Sequence, residues 1–234
     1  MKGSVVWRLL IFFICFLSAF GYGQNLVILK DSVPYDSEQL ILEEIKINLK
    51  SNAGISVQSQ IQNANGIFNI PSVKSAEERL TVKKDTLIHL INSSELHSSN
   101  YGFEHYEILY QNDNMVNLSI LLQSFGSPFE VRQYRTYDLK TGNLLDSSYF
   151  KNIEKLKKRI HSKLEQQGKE IKVSNGDLAN FILEANSSNK ITGVTFVVAD
   201  TENYRNSGYE QFEISLSWKE IEKHLGPAFW NVTQ

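Results

Sequence analysis

The stretch YRTYDLKTGNLLDSSYF, from Tyr134 to Phe150, decides how the centre of this 234-residue chain folds. Aromatic and polar residues alternate up to Asp138, which is typical of a β-strand. Asp138 ends the strand because its carboxylate can accept hydrogen bonds from backbone amides ahead of it. Gly142 supplies a backbone torsion that residues with a β-carbon resist. We therefore predict a strand, a tight turn and then renewed burial of apolar side chains.

Two more strands are predicted before this turn, and a helix after it. Residues 103–111 and 115–124 are rich in apolar and aromatic side chains and flank Asn-Asp-Asn, which indicates a β-hairpin. The strand that ends at the turn, residues 130–139, would be the third. Apolar residues at helical spacing then predict a helix over residues 150–166.

The N-terminal half contains one strong helix signal. Ser75 and Glu78 match a capping box, in which each side chain satisfies a free backbone amide at the start of a helix, so we predict a helix that ends at Asn92. Residues 55–61 alternate apolar and polar side chains and predict a strand.

The C-terminal third continues the mixed pattern. Residues 174–185 carry apolar side chains at helical spacing and predict a short helix, whereas residues 191–199 and 210–216 predict strands. Ser217 and Glu220 form a second capping box. The whole chain therefore predicts an α+β fold, with a mainly antiparallel sheet packed against two to four helices.

Residues 1–23 have the pattern of a secretory signal peptide: a short basic start, an unbroken apolar run and a small-residue end at Gly21 to Gly23. An uncleaved membrane anchor is the alternative, but the apolar run is shorter than the roughly 20 residues that a spanning helix needs. Cys15 raises the alternative of a lipoprotein, which Ile14 disfavours because that processing usually requires a small residue before the cysteine. We expect cleavage, export and a periplasmic or extracellular location.

Cys15 is the only cysteine, so the exported chain would be held together by its core and not by disulfides. Without Lys2 and Arg8, the 24 basic residues become 22 against 26 acidic ones. Nucleic-acid binding needs a dense positive face, and none is expected. The basic run over residues 151–163 contains Glu154 and a helical periodicity, which favours a solvated helix face over a polyanion site.

The order of these segments is familiar. A hairpin contains NLSILLQSFG, a strand ends in YDLKTGNLL, a helix reads YFKNIEKLKKRI, and FEISLSWKEIEKHLGP places a strand before a capped helix. This order resembles the extracytoplasmic module shared by the RsiV anti-sigma factor and the non-catalytic part of the PdaC peptidoglycan deacetylase. The match runs from Ile55 to Pro227, and it departs from the family at Trp218, near which the family usually has a tyrosine.

The resemblance implies a domain over residues 55–234 that follows a lead-in strand or helix over residues 24–54. Within that lead-in, residues 36–50 fit a helix face and strand alternation equally well. The cytoplasmic segment and membrane helix of RsiV-like proteins, and the deacetylase domain of PdaC-like enzymes, are not expected in this chain. The resemblance implies a sensing or binding module, with no membrane span after signal cleavage.

No catalytic motif is present, and we lean against an enzyme. The sequence contains no HExxH, no GxSxG and no glycine-rich phosphate loop. Its five histidines match no known metal site, so neither a metal ion nor another cofactor is expected. Asp138 and Asp146 are the acids that an envelope glycan hydrolase could use, although turn stabilisation explains them as well.

Aromatic residues give the weak positive signal for binding, because exposed rings can stack on sugars or anchor a protein partner. Our candidate ligand-binding residues are Tyr101, Tyr106, Tyr134, Tyr137 and Trp230. Their alternative role is to fill the core of the sheet. We expect an exported, non-enzymatic cell-envelope module that binds a protein or a peptidoglycan fragment. The alternatives are the hydrolase and a structural subunit of a secreted assembly.

Overall fold

The computed structural model describes residues 26–48, 51–64, 75–128, 130–205 and 208–233. The predicted signal peptide lies outside them. The strands are β1 (Leu26–Tyr35), β2 (Glu38–Ile47), β3 (Gly102–Gln111), β4 (Met115–Ser124), β5 (Glu130–Asp138), β6 (Phe181–Ala185), β7 (Ile191–Arg205) and β8 (Gly208–Ser217). The helices are α1 (Asn52–Ala64), α2 (Ala76–Asn92), α3 (Ile153–Gln166), α4 (Trp218–Ile221) and α5 (Pro227–Thr233). No helix among these residues is long and apolar enough to cross a membrane.

The strands form three antiparallel sheets, which confirms the predicted α+β class. β1 pairs with β2, β3 to β5 form a second sheet in chain order, and β6 to β8 form a third. The hairpin predicted around Asn-Asp-Asn is the β3–β4 pair. Each sheet therefore pairs strands that are neighbours in the sequence, which needs only short connections within a sheet.

The lead-in is part of the core. The whole of β2 lies within its ambiguous residues 36–50, and β1 and β2 both pack against α2. Leu26 and Ile45 are fully buried and share an apolar cluster with Val116 of β4. The β1–β2 hairpin thus shares its packing with residues that the resemblance assigns to the following domain.

A helix replaces the strand predicted over residues 55–61. Val57 and Ile61 are fully buried four residues apart on one face of α1, whereas Ile55 is 57% exposed. Ser51 Oγ accepts a hydrogen bond from Gly54 N at 3.1 Å, which satisfies one free amide at the start of this helix. The strand prediction was wrong because, over so short a stretch, the apolar residues at 55, 57 and 61 fit both the two-residue period of a strand and the 3.6-residue period of a helix.

The predicted helix over residues 174–185 is also wrong. Ser174 and Asp177 bond reciprocally, but only a 3₁₀ turn over Asp177–Ala179 follows, and β6 comes next. The reason lies in Asn180, which accepts a hydrogen bond from Tyr134 N at 2.8 Å through its side chain. Its backbone oxygen accepts another from Val197 N at 2.9 Å. These long-range bonds hold the chain extended where a helix was expected.

The capping boxes and the central turn agree with prediction. Both the Ser75–Glu78 and the Ser217–Glu220 boxes are formed. Asp138 Oδ1 accepts hydrogen bonds from the backbone amides of residues 140 and 141 at 2.8 and 3.2 Å, and Gly142 has a φ of +79°. Local backbone chemistry therefore sets these boundaries in the way the sequence indicates.

A fully buried side chain links the second sheet to the third. Asn117 of β4 is fully buried, and its Nδ2 donates to Thr136 Oγ1 at 2.8 Å and to the Phe181 carbonyl oxygen at 2.9 Å. Its Oδ1 accepts from Leu183 N at 3.0 Å. The carboxamide of Asn117 thus bonds the backbone of β6 on both sides of residue 182, as a peptide group of a neighbouring parallel strand would.

The largest apolar cluster lies between the third sheet, α3 and the C-terminal helices. At its centre, the rings of Phe150, Phe181, Phe196 and Phe229 pack with centroid separations of 5.7 to 6.0 Å. Such separations are typical of favourable aromatic contacts. Because Phe229 belongs to α5, the C-terminal tail folds back onto the core at this residue.

Candidate functional site

Four of the five candidate ligand-binding residues are core residues. Tyr101, Tyr106, Tyr134 and Tyr137 are between 2 and 8% exposed. Tyr101 donates its hydroxyl to the Lys83 carbonyl oxygen at 2.9 Å. Burial raises the pKa of Tyr137 to about 12. The structure therefore gives these tyrosines a packing role, and their ligand-binding role stays a prediction.

Trp230 is the candidate that reaches the surface. Its indole meets that of Trp218 edge-to-face, with centroids 5.4 Å apart and an interplanar angle of 89°. Both rings are partly buried against the largest apolar cluster. They line a cavity of about 270 Å³, the tryptophan cleft, whose other principal residues are Tyr110, Asn189, Lys190 and Ile191.

Hydrogen bonds fix the polar side of the tryptophan cleft. Asn189 takes a positive φ of 58° in the turn between β6 and β7, and its Nδ2 donates to the Gln111 carbonyl oxygen at 2.9 Å. Asn112 Nδ2 lies 3.3 Å from the Tyr110 hydroxyl and 3.4 Å from the Val232 carbonyl oxygen. These bonds tie α5, which carries Trp230, to the β3–β4 hairpin. The cleft is thus built from the ends of two sheets and two short helices.

The chemistry of the tryptophan cleft suits a ring or a flat side chain. Two partly buried indoles line it at right angles to each other, and the rim adds the carboxamide of Asn189 and the ammonium of Lys190, which is exposed. Such amphipathic aromatic surfaces bind ligands that present an apolar face with polar edges. The sequence predicted Trp230 as a ligand-binding residue and Trp218 only as a residue of a helix. Their contact joins α4 to α5, and the sequence pattern does not show that these two helices meet.

The acids proposed for a hydrolase are engaged in their own turns. Asp138 accepts from two backbone amides and from Thr141 Oγ1 at 2.7 Å. Asp146 Oδ1 accepts from Ser148 N at 2.8 Å and from Ser148 Oγ at 2.6 Å. Both carboxylates therefore stabilise turns, which is the alternative that the sequence also allowed.

A buried ionic cluster was not anticipated from the sequence. Glu44 of β2, Arg79 and Lys83 of α2, and Glu104 of β3 are each at most 3% exposed. Lys83 Nζ lies 2.9 Å from Glu44 Oε2 and 2.8 Å from Glu104 Oε2, and Arg79 Nε lies 2.9 Å from Glu44 Oε2. Arg79 and Lys83 are four residues apart, so they share one face of the helix.

The ionic cluster extends through Tyr106 and Glu43. Tyr106 donates its hydroxyl to Glu104 Oε2 at 3.0 Å, and its backbone amide donates to Glu43 Oε2 at 2.7 Å. Burial, together with the negative charges of Glu104 and Glu44, holds the pKa of Tyr106 well above its usual value. Glu44 and Glu104 are balanced by Arg79 and Lys83, and Glu43 is paired with Lys30, whose Nζ lies 2.7 Å from Glu43 Oε1. These residues do not line the tryptophan cleft. We interpret the cluster as a structural link between α2, β2 and β3.

The histidines are dispersed. His97 Nε2 lies 3.1 Å from the Tyr35 hydroxyl, and His161 Nδ1 lies 2.9 Å from the Ile171 carbonyl oxygen. Among the described residues, no three His, Cys, Asp or Glu side chains gather in a way that would hold a metal ion.

No protein-family model and no curated protein matches this sequence. The fold is similar to that of a DUF3298-family protein of Bacteroides fragilis, with a TM-score of 0.56, 13% identity, and coverage of 88% of this chain and 97% of that one. It is also similar to a DUF3298-family protein of Pseudomonas aeruginosa, with a TM-score of 0.50, 11% identity, and coverage of 89% and 98%. At such identities the likeness shows the fold alone.

Proposed function

We propose that this protein is an exported, non-enzymatic module of the cell envelope that binds a peptidoglycan-related ligand through the tryptophan cleft. The observation that carries this proposal is the perpendicular pair of Trp218 and Trp230 in an open cavity with polar groups at its rim. Sugar rings present apolar faces and hydroxyl edges, which match indole faces and amide groups. A protein side chain is the second kind of occupant that this surface suits.

Three further observations support the proposal. The N-terminal sequence has the pattern of a secretory leader, and the remaining chain contains no cysteine. The order of the predicted segments resembles the RsiV and PdaC extracytoplasmic module. The fold is similar to those of two DUF3298-family proteins over nearly their whole length.

The experiment uses the tryptophans themselves. The chain has three, and Trp7 lies in the predicted leader, so the exported protein would carry only the two that line the cleft. Mass spectrometry of the intact exported protein would establish cleavage if the mass equals that of the chain without residues 1–23. Titration of the exported protein with soluble peptidoglycan fragments should then give a saturable change in tryptophan fluorescence.

Two matched variants show whether the fluorescence change comes from binding at the tryptophan cleft. Trp230→Ala should weaken binding by about tenfold or more, because a central aromatic anchor contributes on the order of 2 kcal/mol. Phe212→Ala removes a partly buried ring that packs against the same cluster but does not line the cleft, and it should bind normally. Equal affinity of both variants, or no saturable change with the wild type, would refute the sugar-binding assignment.

The alternatives have separate tests. If Asp138→Asn and Asp146→Asn abolished turnover of envelope glycans while leaving the fold intact, the protein would be a hydrolase. If light scattering of the exported chain gave a defined oligomer, it would favour a structural subunit.

A further inference from the structure

A groove rich in lysine lies along one side of α3, and we call it the lysine groove. It has a volume of about 510 Å³. Its principal lining residues are Lys155, Lys158, Arg159 and Ser162 of α3, with Lys223 and His224 of the 3₁₀ turn that follows α4. The lysine groove shares no lining residue with the tryptophan cleft, so each can be tested alone.

Two contacts hold the sides of the lysine groove together. At the start of α3, Lys151 N donates to the His224 carbonyl oxygen at 2.7 Å. Farther along the helix, the guanidinium of Arg159 donates to Glu220 Oε1. These contacts fix the turn that carries Lys223 against α3. A ligand would therefore meet a preformed groove and would not need to order it.

Three lysines of the groove carry positive charge that the protein does not neutralise. Among the described residues, Lys155, Lys158 and Lys223 form no ion pair, and all three are exposed. Arg159 differs, because Glu220 balances its charge. None of the described residues that line the groove is acidic. The groove thus concentrates positive charge on a chain whose formal net charge is −2.

The positive charges of the groove converge on His224, which is buried. Burial lowers the pKa of His224, and the positive charges of Lys223, Lys155 and Lys151 lower it as well. Ammonium groups from two segments of the chain therefore lie close enough to act on one imidazole. The sequence favoured a solvated helix face for the basic run over residues 151–163, because its pattern does not show that Lys223 joins that face.

The arrangement suits a chain of negative charges better than a single anion. Lys155 and Ser162 are seven residues apart on α3, so the groove follows the helix for roughly 10 Å. Ammonium groups on flexible stems are point charges that neutralise phosphates without requiring one fixed geometry. A concave groove also fits a chain more closely than it fits the flat surface of a membrane. No Phe, Tyr or Trp is among its described lining residues, so nucleic-acid bases would find no ring on which to stack.

We infer that the lysine groove binds a linear polymer of linked phosphate groups, with Lys155, Lys158 and Lys223 as the phosphate contacts. Such a polymer carries condensed counterions, which are released when lysines neutralise its phosphates. The affinity should therefore fall steeply as the salt concentration rises.

The test is calorimetric titration of the exported protein with long-chain inorganic polyphosphate. Saturable binding is expected at about 0.1 M salt, and the logarithm of the association constant should fall linearly with the logarithm of the salt concentration. Orthophosphate should bind at least about tenfold more weakly, because a single phosphate cannot engage several lysines at once. Vesicles of phosphatidylglycerol and phosphatidylcholine form a further arm. No saturable binding of polyphosphate, equal binding of orthophosphate, or tighter binding to the vesicles than to polyphosphate would overturn the inference.

Variants locate the binding. Lys155→Gln combined with Lys223→Gln should weaken polyphosphate binding about tenfold or more, because each lysine near a dense array of phosphates strengthens binding severalfold. Its affinity should also depend less steeply on salt, since fewer counterions are released. The matched control, Lys46→Gln combined with Lys140→Gln, removes the same charge from outside the groove and should bind as the wild type does. Circular dichroism checks that both variants fold, and Lys158→Gln against Lys140→Gln gives the same comparison if either does not. Equal losses of affinity inside and outside the groove would show that binding follows net charge alone and would refute the site.

Discussion

Lys83→Met is expected to be among the most damaging single changes in α2. Lys83 Nζ has three close acceptors: Glu44 Oε2 at 2.9 Å, Glu104 Oε2 at 2.8 Å and the Glu43 carbonyl oxygen at 2.8 Å. Methionine would keep the packing volume but leave Arg79 as the one described cation beside the two buried carboxylates of Glu44 and Glu104. Arg79 Nη2 lies 3.8 Å from Glu104 Oε2, too far to replace the lost bond.

Breaking a buried ion pair by removing one partner costs about 3–5 kcal/mol, because the other charge is left uncompensated. For a domain of this size, that corresponds to a fall in Tm of roughly 6–20 °C. Urea unfolding followed by circular dichroism measures the change in the free energy of unfolding. Lys83→Met combined with Glu104→Gln restores the charge balance and should cost less than the sum of the single changes.

The next residue supplies the control. Lys84 bonds Asp31 at 2.9 Å, but both side chains are 36% exposed, so Lys84→Met should cost about 1 kcal/mol or less. The reasoning fails if Lys83→Met and Lys84→Met lower the free energy of unfolding by the same amount.

Two other predictions concern local structure and are tested by the same unfolding assay. The pKa of Glu220 is lowered from 4.5 to about 2, mainly by the hydrogen bond from Arg159 and next by the one from Ser217. The contribution of Glu220 to stability is therefore fully present above pH 4.5 and is lost as the pH falls towards 2. Glu220→Gln should therefore lower the free energy of unfolding at pH 7 and make that free energy fall less steeply on acidification. If the free energy of unfolding of the variant fell between pH 4.5 and 2 as steeply as that of the wild type, the prediction would be contradicted. Gly142 and Gly168 both have positive φ, but a β-carbon at 142 would lie 2.9 Å from the Ala53 carbonyl oxygen, whereas one at 168 meets nothing within 4 Å. Gly168→Ala should cost about 1 kcal/mol for its backbone torsion and Gly142→Ala clearly more, and equal costs would show that the contact with α1 relaxes freely.

The elements predicted well are those whose signals are local. The capping boxes at Ser75 and Ser217, and the aspartate turn at Asp138, each need only a few consecutive residues to form. β6 was predicted wrongly because Asn180 is held by bonds to strands far away in sequence.

The candidate sites were harder to predict for the same reason. Arg79 and Lys83 read as the polar face of a helix until β2 and β3 bring glutamates against them. The tryptophan cleft likewise combines residues from distant segments. The tyrosines were chosen by residue type, and type alone does not distinguish a core ring from a surface ring.

The carboxamide of Asn117 has a consequence for what this position tolerates. β6 is the outer strand of its sheet, but its edge at residue 182 faces the second sheet and not solvent, because Asn117, Phe181 and Leu183 are buried. If an apolar side chain replaced Asn117, Phe181 O and Leu183 N would lose their partner where no water could replace it. One amide inside the fold thus keeps the uncovered edge of the third sheet from being buried without hydrogen bonds.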